Sequence, residues 1–355
     1  MKLKATLTAL SCAVLATCAM SSTAFATKVG VSMPTQSLQR WNQDGANMKA
    51  QLEKAGYEVE LLYAGDNDIP TQVNQIENMI GNGDEVLVIA PIDGSSLTEV
   101  LKGAKEKNIP VVSYDRLIMN SDAISYYATF DNYLVGQKQG EFLVQKLGLD
   151  KDGAPVNMEL FTGAPDDNNV NFFWGGAMDV LKPYIDKGRI VVKSGQITKD
   201  QCATANWNTE EAQKRMENLI SSNGYGPQGT KLDAVLSSND SVAIGIVNAL
   251  VSEGYTNKDI PVVTGQDCDR PSVKNMKQGL QAMSVFKDTR TLAAQVVKMV
   301  GQILAGEEVD VNDTETYNNN VIVVPSYLCE PVFADVNNYT ELLIDSGYYT
   351  LDQLQ

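Results

Sequence analysis

The sequence predicts an α/β protein with two doubly wound lobes, each built on a parallel sheet. Short apolar runs alternate along the chain with amphipathic segments of helical periodicity. The runs are apolar at nearly every position, as expected for parallel strands covered by helices on both faces. They form two successive blocks without a low-complexity linker between them, so we expect the lobes to meet through strand-like crossings.

The apolar runs give the candidate strands in chain order. Strands of parallel sheets are short and rich in β-branched residues, and these runs have both properties. The first block comprises residues 28–33, 59–63, 86–90, 110–114 and 124–129, and the second comprises 157–162, 190–194, 234–237 and 261–264, followed by 281–286 and 321–324.

The segments between the strands have helical patterns. Val73, Ile76 and Met79 lie at a spacing that places them on one helix face. Glycine favours the left-handed backbone conformation that ends a helix, so helix ends are expected at Gly56, Gly254 and Gly279.

The N-terminus has the pattern of a secretory signal peptide. Lys2 and Lys4 precede an apolar run at residues 7–20, and an Ala-Phe-Ala cleavage signal ends at Ala26. The apolar run is too short to span a bilayer. We therefore expect residues 1–26 to be a signal peptide that is cleaved near Ala26.

Cys18 leaves open a second interpretation of this region, a lipoprotein signal. Thr17 is a poor residue before a lipidated cysteine and the Ala-Phe-Ala site lies downstream, so we favour ordinary cleavage. The mature chain would begin at Thr27 and contain 329 of the 355 residues, enough for two domains with cores of their own.

The charge balance excludes several classes of partner. The chain has 28 basic and 44 acidic residues, a net charge of −16, and loss of Lys2 and Lys4 would take it to −18. Phosphate backbones and anionic membranes repel such a surface. We therefore expect no nucleic-acid and no lipid partner.

The sequence also lacks the residues of most cofactor and metal sites. There is no histidine, and Cys202, Cys268 and Cys329 of the mature chain are an odd, sparse set that forms no disulfide framework. A zinc site and a Ser-His or Cys-His nucleophile are thereby excluded. No phosphate-binding glycine motif follows a strand. Residues 150–153 are a turn rather than a calcium loop, so we expect no metal and no organic cofactor.

Polar and aromatic residues recur where the candidate strands end. In open α/β sheets, ligands bind beyond the carboxyl ends of the strands. Carboxylates accept hydrogen bonds from hydroxyl groups, Arg and Lys donate hydrogen bonds, and Asn does both. An aromatic ring stacks on the apolar face of a pyranose. These residues predict a site for a neutral polyol; they are Arg40, Trp41, Asp115, Arg116, Asn168, Trp207, Asn239, Asp267 and Lys287.

Several of these residues have structural interpretations as well. The Asp115–Arg116 pair fits a surface ion pair, Trp41 fits a helix core, residues 166–169 fit a turn with a helix N-cap, and Asn239 fits an N-cap. A glycosidase with Asp115 facing Asp267 is a further alternative. We disfavour it because nearby Arg and Lys side chains hold carboxylates ionised.

Ten short motifs occur together along the mature chain. They are NQIENMI (74–80), VLVIAPIDG (86–94), YDRLI (114–118), YYATFDN (126–132), PDDNN (165–169), VLKPYID (180–186), SSND (237–240), GQD (265–267), VFKDT (285–289) and VPSYL (324–328). With these motifs the chain resembles the periplasmic sugar-binding proteins of ABC importers, most of all the multiple-monosaccharide receptors of ChvE type and next the D-xylose-binding proteins.

The resemblance implies the periplasmic-binding-protein type I fold, with two lobes joined by three hinge crossings near Asn132, Lys287 and Pro325. The expected N-terminal lobe comprises residues 27–131 and 288–324. The expected C-terminal lobe comprises residues 132–287 and 325–355.

The resemblance also implies which residues contact the sugar. Arg40, Asp115 and Arg116 would do so from the first lobe, Asn168, Trp207, Asn239 and Asp267 from the second, and Lys287 from the hinge. Phe172 or Phe173 would add a wall. Cys268 departs from the family pattern, which has a small residue there. Since Cys202 lies in the loop leading to Trp207, a Cys202–Cys268 disulfide is a candidate.

The implied function is that of a monomeric periplasmic receptor without enzymatic activity. It would bind a pyranose aldose such as galactose, glucose, arabinose or xylose and deliver it to an ABC permease in the inner membrane. A chemoreceptor or sensor kinase is a further candidate partner. A receptor for a furanose-like signalling molecule and an exported glycosidase are the alternatives. A transcription regulator of the same fold is excluded by the signal peptide and the acidity.

Overall fold

The computed structural model describes residues 26–355, which form two lobes with a parallel sheet in each. The signal peptide predicted over residues 1–26 lies outside the described residues except for Ala26. Within the described range, no helix is both long and apolar enough to cross a membrane. Strands and helices are numbered here in chain order over both lobes.

The first lobe is a six-stranded parallel sheet in the order β11-β5-β4-β3-β1-β2. Helices α1 and α9 cover one face and α2 and α3 the other, so that two separate apolar cores flank the sheet. The elements are β1 (Lys28–Met33), α1 (Gln39–Lys54), β2 (Glu58–Tyr63), α2 (Ile69–Asn82), β3 (Val86–Ile89), α3 (Thr98–Glu106), β4 (Val111–Tyr114), β5 (Tyr126–Phe130), α9 (Thr289–Ala305) and β11 (Ser326–Cys329).

The second lobe has a four-stranded parallel sheet in the order β7-β6-β8-β9, and an antiparallel pair, β10 with β12. A bridge between Gln266 and Val285 joins this pair to the sheet. The elements are α4 (Asn132–Leu147), β6 (Val156–Phe161), α5 (Asn169–Asp186), β7 (Ile190–Val191), α6 (Thr209–Asn223), β8 (Ala234–Ser237), α7 (Asp240–Ser252), β9 (Val262–Val263), α8 (Arg270–Gln278), β10 (Met283–Phe286) and β12 (Val332–Asp335).

The predicted doubly wound fold is confirmed, and one predicted strand is wrong. Residues 321–324 contribute only an isolated bridge, from Val323 to Asn318. The last strand of the first sheet is β11, because pairing with β5 becomes continuous only after Pro325, whose carbonyl accepts a hydrogen bond of 3.0 Å from the Tyr127 amide.

Three segments connect the two sheets. The chain leaves the first lobe between β5 and α4 at Asn132, and returns at Lys287 between β10 and α9. The third crossing, expected near Pro325, lies instead between Cys329 and Val332. The reason is that β11 pairs in parallel with β5 of the first lobe, whereas β12 pairs with β10 of the second. Residues 325–329 therefore belong with the first lobe.

Helices α4 and α5 pack with their backbones in direct contact. A Cβ atom on Gly136 would lie 2.1 Å from the Phe173 carbonyl oxygen, and one on Gly176 would lie 2.1 Å from the Tyr133 carbonyl oxygen. Only glycine permits this approach. Since α5 carries Asn169 and Phe173 toward the space between the lobes, the two glycines fix where those side chains lie.

We predict that Gly136→Ala destabilises the second lobe by about 3 kcal/mol or more, because neither helix backbone yields to the added methyl group. Chemical denaturation of the purified protein measures this change. Gly175→Ala is the matched control: its Cβ would lie 3.6 Å from the Tyr133 ring, an ordinary contact. Its stability should equal or slightly exceed that of wild type, since alanine favours helix. Equal stabilities of the two variants would contradict the packing argument.

Candidate functional site

A pocket lies between the lobes at the carboxyl ends of their strands, as the open-sheet rule predicts. It receives side chains from both lobes and from the hinge segment after β10. Its lining residues are Leu38, Arg40, Trp41, Asp115, Arg116, Asp167, Asn169, Phe173, Trp207, Asn239, Ser241, Gln266, Asp267, Asp269 and Lys287.

Arg40 is the central cation of this pocket. Its Nε donates to Asp44 Oδ2 at 2.9 Å, one turn further along α1. Its two Nη groups donate to Asp115 of the first lobe and, at 3.3 Å, to Asp267 of the second. Burial alone would lower the pKa of the guanidinium, but these three carboxylates outweigh burial and raise it well above its usual value. Arg40 thus links the two lobes directly.

Asp115 follows β4 with a left-handed backbone, φ 59°. Its carbonyl oxygen accepts hydrogen bonds from Thr129 Oγ1 at 2.9 Å and from Asn169 Nδ2, across the lobes, at 2.8 Å. These bonds hold a conformation that aspartate tolerates better than most residues. The backbone leaves the strand direction at this point, and the carboxylate lines the pocket.

The carboxylate of Asp115 is held ionised. Burial acts to raise its pKa, but the charges of Arg40, Lys287 and Arg116 outweigh burial and lower it. The interpretation of Asp115 and Arg116 as a surface ion pair is wrong, because Asp115 is only 4 % exposed and its hydrogen-bonded partner is Arg40.

Arg116 makes a second contact across the lobes. Its Nε lies 3.1 Å from Asp167 Oδ2, its Nη1 donates to the Ile92 carbonyl at 3.1 Å, and the guanidinium lies 5.1 Å from the centre of the Trp41 ring. Trp207 Nε1 donates to the same Asp167 oxygen at 3.2 Å. Burial raises the pKa of Asp167 despite the opposing charge of Arg116.

Asn168 lies apart from the other residues expected at the site. This residue lies outside the pocket lining, where its Oδ1 accepts a hydrogen bond of 3.2 Å from Asn171 Nδ2 on the surface. Its neighbours line the pocket instead: Asp167 binds Arg116 and Trp207, and Asn169 binds Asp115. Helix α5 begins at Asn169, so the first helical turn directs adjacent side chains to different sides.

The second-lobe wall includes Asp267 and the hinge residue Lys287. Asp267 also has a positive φ, 97°, and its Oδ1 lies 2.9 Å from Lys287 Nζ. The ammonium group lies 5.6 Å from the centre of the Phe173 ring. Of the two phenylalanines left open by the sequence, Phe173 lines the pocket, whereas Phe172 packs on Tyr317 with ring centres 4.7 Å apart.

Trp207, Trp41 and Asn239 each combine a structural and a lining role. The Trp207 ring lies against Gly163, where a Cβ atom would come within 2.1 Å of it, and Trp41 belongs to the core under α1 as well as to the pocket. Asn239 Oδ1 caps α7 by accepting from the Val242 amide at 2.9 Å. The N-cap interpretation of Asn239 is therefore correct, although the residue also lines the pocket.

Two buried carboxylates that the sequence did not single out lie close to Asp267: Asp269 is part of the pocket lining, and Asp240 lies next to it. Asp240 accepts hydrogen bonds from Gln281, Ser284 and the Asp269 amide, at 2.9 Å in each case. Burial, followed by repulsion from Asp269 and Asp267, raises the pKa of Asp240 well above its usual value. Burial and then Asp267 raise the pKa of Asp269 to about 7, against the charges of Arg40, Lys287 and Arg270.

The candidate disulfide between Cys202 and Cys268 is wrong, since both cysteines are free and buried. Cys202 Sγ donates to the Gln196 carbonyl at 3.3 Å within the core around β6, and Cys268 packs in a different cluster with Met276. In residues 26–355 there is no group of three or more acidic or cysteine side chains placed to hold a metal ion.

Comparisons with known proteins agree on one family. The model of the periplasmic binding protein domain matches residues 29–308. The multiple sugar-binding periplasmic receptor ChvE of Rhizobium radiobacter is 50% identical over 329 residues, with 92% of each chain covered. The D-xylose-binding periplasmic protein of Escherichia coli is 36% identical over 328 residues, again with 92% of each covered.

A crystal structure of a relative is similar in both sequence and fold. It is an ABC transporter solute-binding protein from Clostridium phytofermentans with bound β-D-glucose, 63% identical with a TM-score of 0.89. The alignment covers 92% of this chain and 100% of that one.

We predict that Asp269→Asn stabilises the sugar-free protein increasingly as pH rises. With its pKa raised to about 7, folded Asp269 keeps a proton that the unfolded chain loses near pH 4, so wild type loses stability between these values. Asparagine does not ionise. The melting temperature of the variant relative to wild type should be about 2–6 °C higher at pH 8 than at pH 4.5.

Asp122→Asn is the control with the opposite sign. Pairing with Lys105 lowers the pKa of Asp122, which gives a stabilisation present at high pH and lost as pH falls. Its replacement should lower the melting temperature slightly at pH 8 and not at the acidic end. If the difference in melting temperature between Asp269→Asn and wild type does not change with pH, the pKa of Asp269 is the same in the folded and the unfolded chain.

Proposed function

The chain belongs to the family of periplasmic sugar-binding proteins, and on that premise we propose that it binds one monosaccharide between its lobes and delivers it to an ABC import permease. The observation that carries the proposal is the position of Arg40, which donates to Asp115 of one lobe and to Asp267 of the other. Charged hydrogen-bonding groups of both lobes thus converge on one small space.

The chemistry of this space supports a neutral sugar. Ionised carboxylates accept hydrogen bonds from hydroxyl groups, while guanidinium, ammonium and amide groups donate hydrogen bonds to hydroxyl and ring oxygens. Each charged hydrogen bond contributes about 1.5–3 kcal/mol. Several such hydrogen bonds, after the costs of desolvation and ordering are subtracted, account for the binding free energy of roughly −8 kcal/mol of a micromolar complex. Trp41, Trp207 and Phe173 supply aromatic walls, which favour a pyranose.

We infer the ligand set from the pocket lining. It keeps seven of the eight residues that the resemblance implies, replaces Asn168 by its neighbours Asp167 and Asn169, and takes Phe173 of the two candidate phenylalanines. The proposed sugar-binding residues are Arg40, Asp115, Arg116, Asp167, Asn169, Phe173, Trp207, Asn239, Asp267 and Lys287.

The remaining parts of the proposal follow from the family. The protein would act in the periplasm as a monomer, without catalysing a reaction, and would present its closed form to a permease in the inner membrane. A chemoreceptor or sensor kinase would recognise the same closed form. Closure would occur by bending at the three crossings, because each lobe has its own sheet and core and moves as a rigid body.

Two rival functions make different predictions. A receptor for a furanose-like signalling molecule would bind furanosides in preference to pyranoses. An exported glycosidase would turn over nitrophenyl glycosides, and the raised pKa of Asp269 gives it one candidate acid. Assays with these compounds separate both rivals from an aldose receptor.

We predict that at least one pyranose aldose raises the melting temperature, since a ligand that binds only the folded form stabilises it by mass action. The panel should include glucose and xylose, which relatives bind by name, with galactose, arabinose, fucose and ribose. Mannitol, an open-chain polyol, is the control. No shift with any aldose would contradict the proposed function, and a shift with mannitol alone would exclude a pyranose site.

We predict that Asp115→Asn weakens binding of the best sugar about 10- to 100-fold. Asparagine keeps the shape and tolerates the left-handed backbone, but it loses the negative charge of a charge-assisted acceptor. Calorimetry measures the affinity. Asp122→Asn, which removes an exposed partner of Lys105 in the same lobe, should bind as wild type does. Wild-type affinity of Asp115→Asn would remove Asp115 from the ligand set.

A further inference from the structure

The last residues of the chain, 340–355, form a segment that belongs to the second lobe. It consists of a π-helical turn (Thr340–Asp345) and a 3₁₀ turn (Leu351–Leu354). Leu343 and Leu354 pack into an apolar cluster with Cys268 and Met276, beside α8. The segment is therefore anchored in the lobe that carries Asp267.

From this segment Tyr349 reaches the first lobe. Its hydroxyl accepts hydrogen bonds from Gln39 Nε2 at 2.7 Å and from Gln43 Nε2 at 3.1 Å, both on α1. It donates to the Cys268 carbonyl at 3.0 Å. A phenol offers one proton and two lone pairs, so these three bonds satisfy it fully.

The arrangement of Gln39 is fixed by a further contact between the lobes. Its Oε1 accepts from the backbone amide of Arg270 at 3.2 Å and from Arg270 Nε at 3.0 Å. The carbonyl side of the amide is thereby assigned, and the NH₂ side faces Tyr349. Burial raises the pKa of Tyr349, so its hydroxyl stays protonated and able to donate.

The three partners of the hydroxyl adjoin the residues that bridge the lobes. Gln39 and Gln43 lie one turn apart on α1, each immediately before a residue of the Arg40–Asp44 pair. Cys268 follows Asp267 directly, and both have positive φ, 97° and 54°. The hydroxyl thus joins the helix that carries Arg40 to the strained turn that carries Asp267.

We propose that Tyr349 is a positioning residue for sugar binding: it holds the Asp267 turn against α1 and stabilises the closed arrangement of the lobes without contacting the sugar. This inference rests on the proposed function. Tyr349 lies outside the lining of the pocket, so any effect on the sugar passes through Asp267, Arg40 and the approach of the lobes.

A purely structural role is the competing explanation. Tyr349 is 3 % exposed, and its ring packs edge-on against Tyr348 with ring centres 4.8 Å apart. If Tyr349 only filled the apolar cluster, its ring alone would contribute to stability, and its hydroxyl would not affect sugar binding. The two explanations therefore separate in a variant that keeps the ring and loses the hydroxyl.

The test compares Tyr349→Phe with Tyr339→Phe. Tyr339 packs against the same cluster, and among the described residues its hydroxyl makes no hydrogen bond, so Tyr339→Phe controls for removal of an oxygen atom. For Tyr349→Phe we expect the Kd of the best sugar to rise about 5- to 30-fold, through faster dissociation with little change in association rate. Tyr339→Phe should match wild type.

A second variant tests the hydrogen bonds from the other side. Gln39→Met with Gln43→Met removes both donors and leaves Tyr349 untouched. If the bonds between the lobes carry the effect, adding Tyr349→Phe to this double variant should change the Kd by less than twofold, because only the bond to Cys268 within the second lobe then remains to be lost. If the effects of the Gln and Tyr substitutions on the Kd are additive, Tyr349 does not act through its hydrogen bonds with Gln39 and Gln43, and the proposal is overturned.

Small-angle X-ray scattering measures how closely the lobes approach each other in the sugar-free protein. The sugar-free Tyr349→Phe protein should have a larger radius of gyration than sugar-free wild type, since its lobes are less firmly joined. Equal radii together with an unchanged dissociation rate overturn the proposal. If wild type binds no sugar, the proposed function fails, and the radii alone then decide whether Tyr349 joins the lobes.

Discussion

The arrangement of the site depends on the need to keep one buried cation paired. A guanidinium removed from water requires carboxylates around it, since an unpaired buried charge is strongly destabilising. Arg40 meets this need with Asp44 from its own helix, Asp115 from the first lobe and Asp267 from the second. The pairing explains why acids occur at strand ends in both lobes. It also explains why Asp115 stays ionised although it is buried.

The backbone places these acids at the ends of the sheets at some energetic cost. Asp115, Trp207 and Asp267 all have φ between 55° and 97°, a region that residues other than glycine rarely occupy. Such conformations persist where surrounding contacts impose them, and they concentrate at functional sites. At Asp115 the contacts are hydrogen bonds to its carbonyl oxygen, one of which comes from Asn169 in the opposite lobe. The contact between the lobes therefore also fixes the backbone within one of them.

The sequence predicted the parallel sheets and the strand-end residues because both follow from local patterns. It favoured Asn168, whereas Asp167 and Asn169 line the pocket, since a string of Asp and Asn does not show at which residue a helix begins. The third crossing, which the resemblance implied near Pro325, could not be refined from the sequence, because nothing local distinguishes a strand of the first lobe from a strand of the second. Asp269 and Tyr349 were missed because burial and contacts with distant residues, rather than neighbours in the chain, determine their roles.

The buried acids close to Asp267 bear on how the second lobe binds a neutral ligand. Asp240 and Asp269 share this region with Asp267, and mutual repulsion is among the causes that raise their pKa values. Three ionised carboxylates would exceed the charge that Arg40 and Lys287 supply. Protonation of Asp240 and Asp269 would relieve this excess: Lys287 then pairs with Asp267, while Arg40 divides its donors among Asp267, Asp44 and Asp115. The protonation of Asp240 and of Asp269, which itself lines the pocket, thus influences the charge of the second-lobe wall.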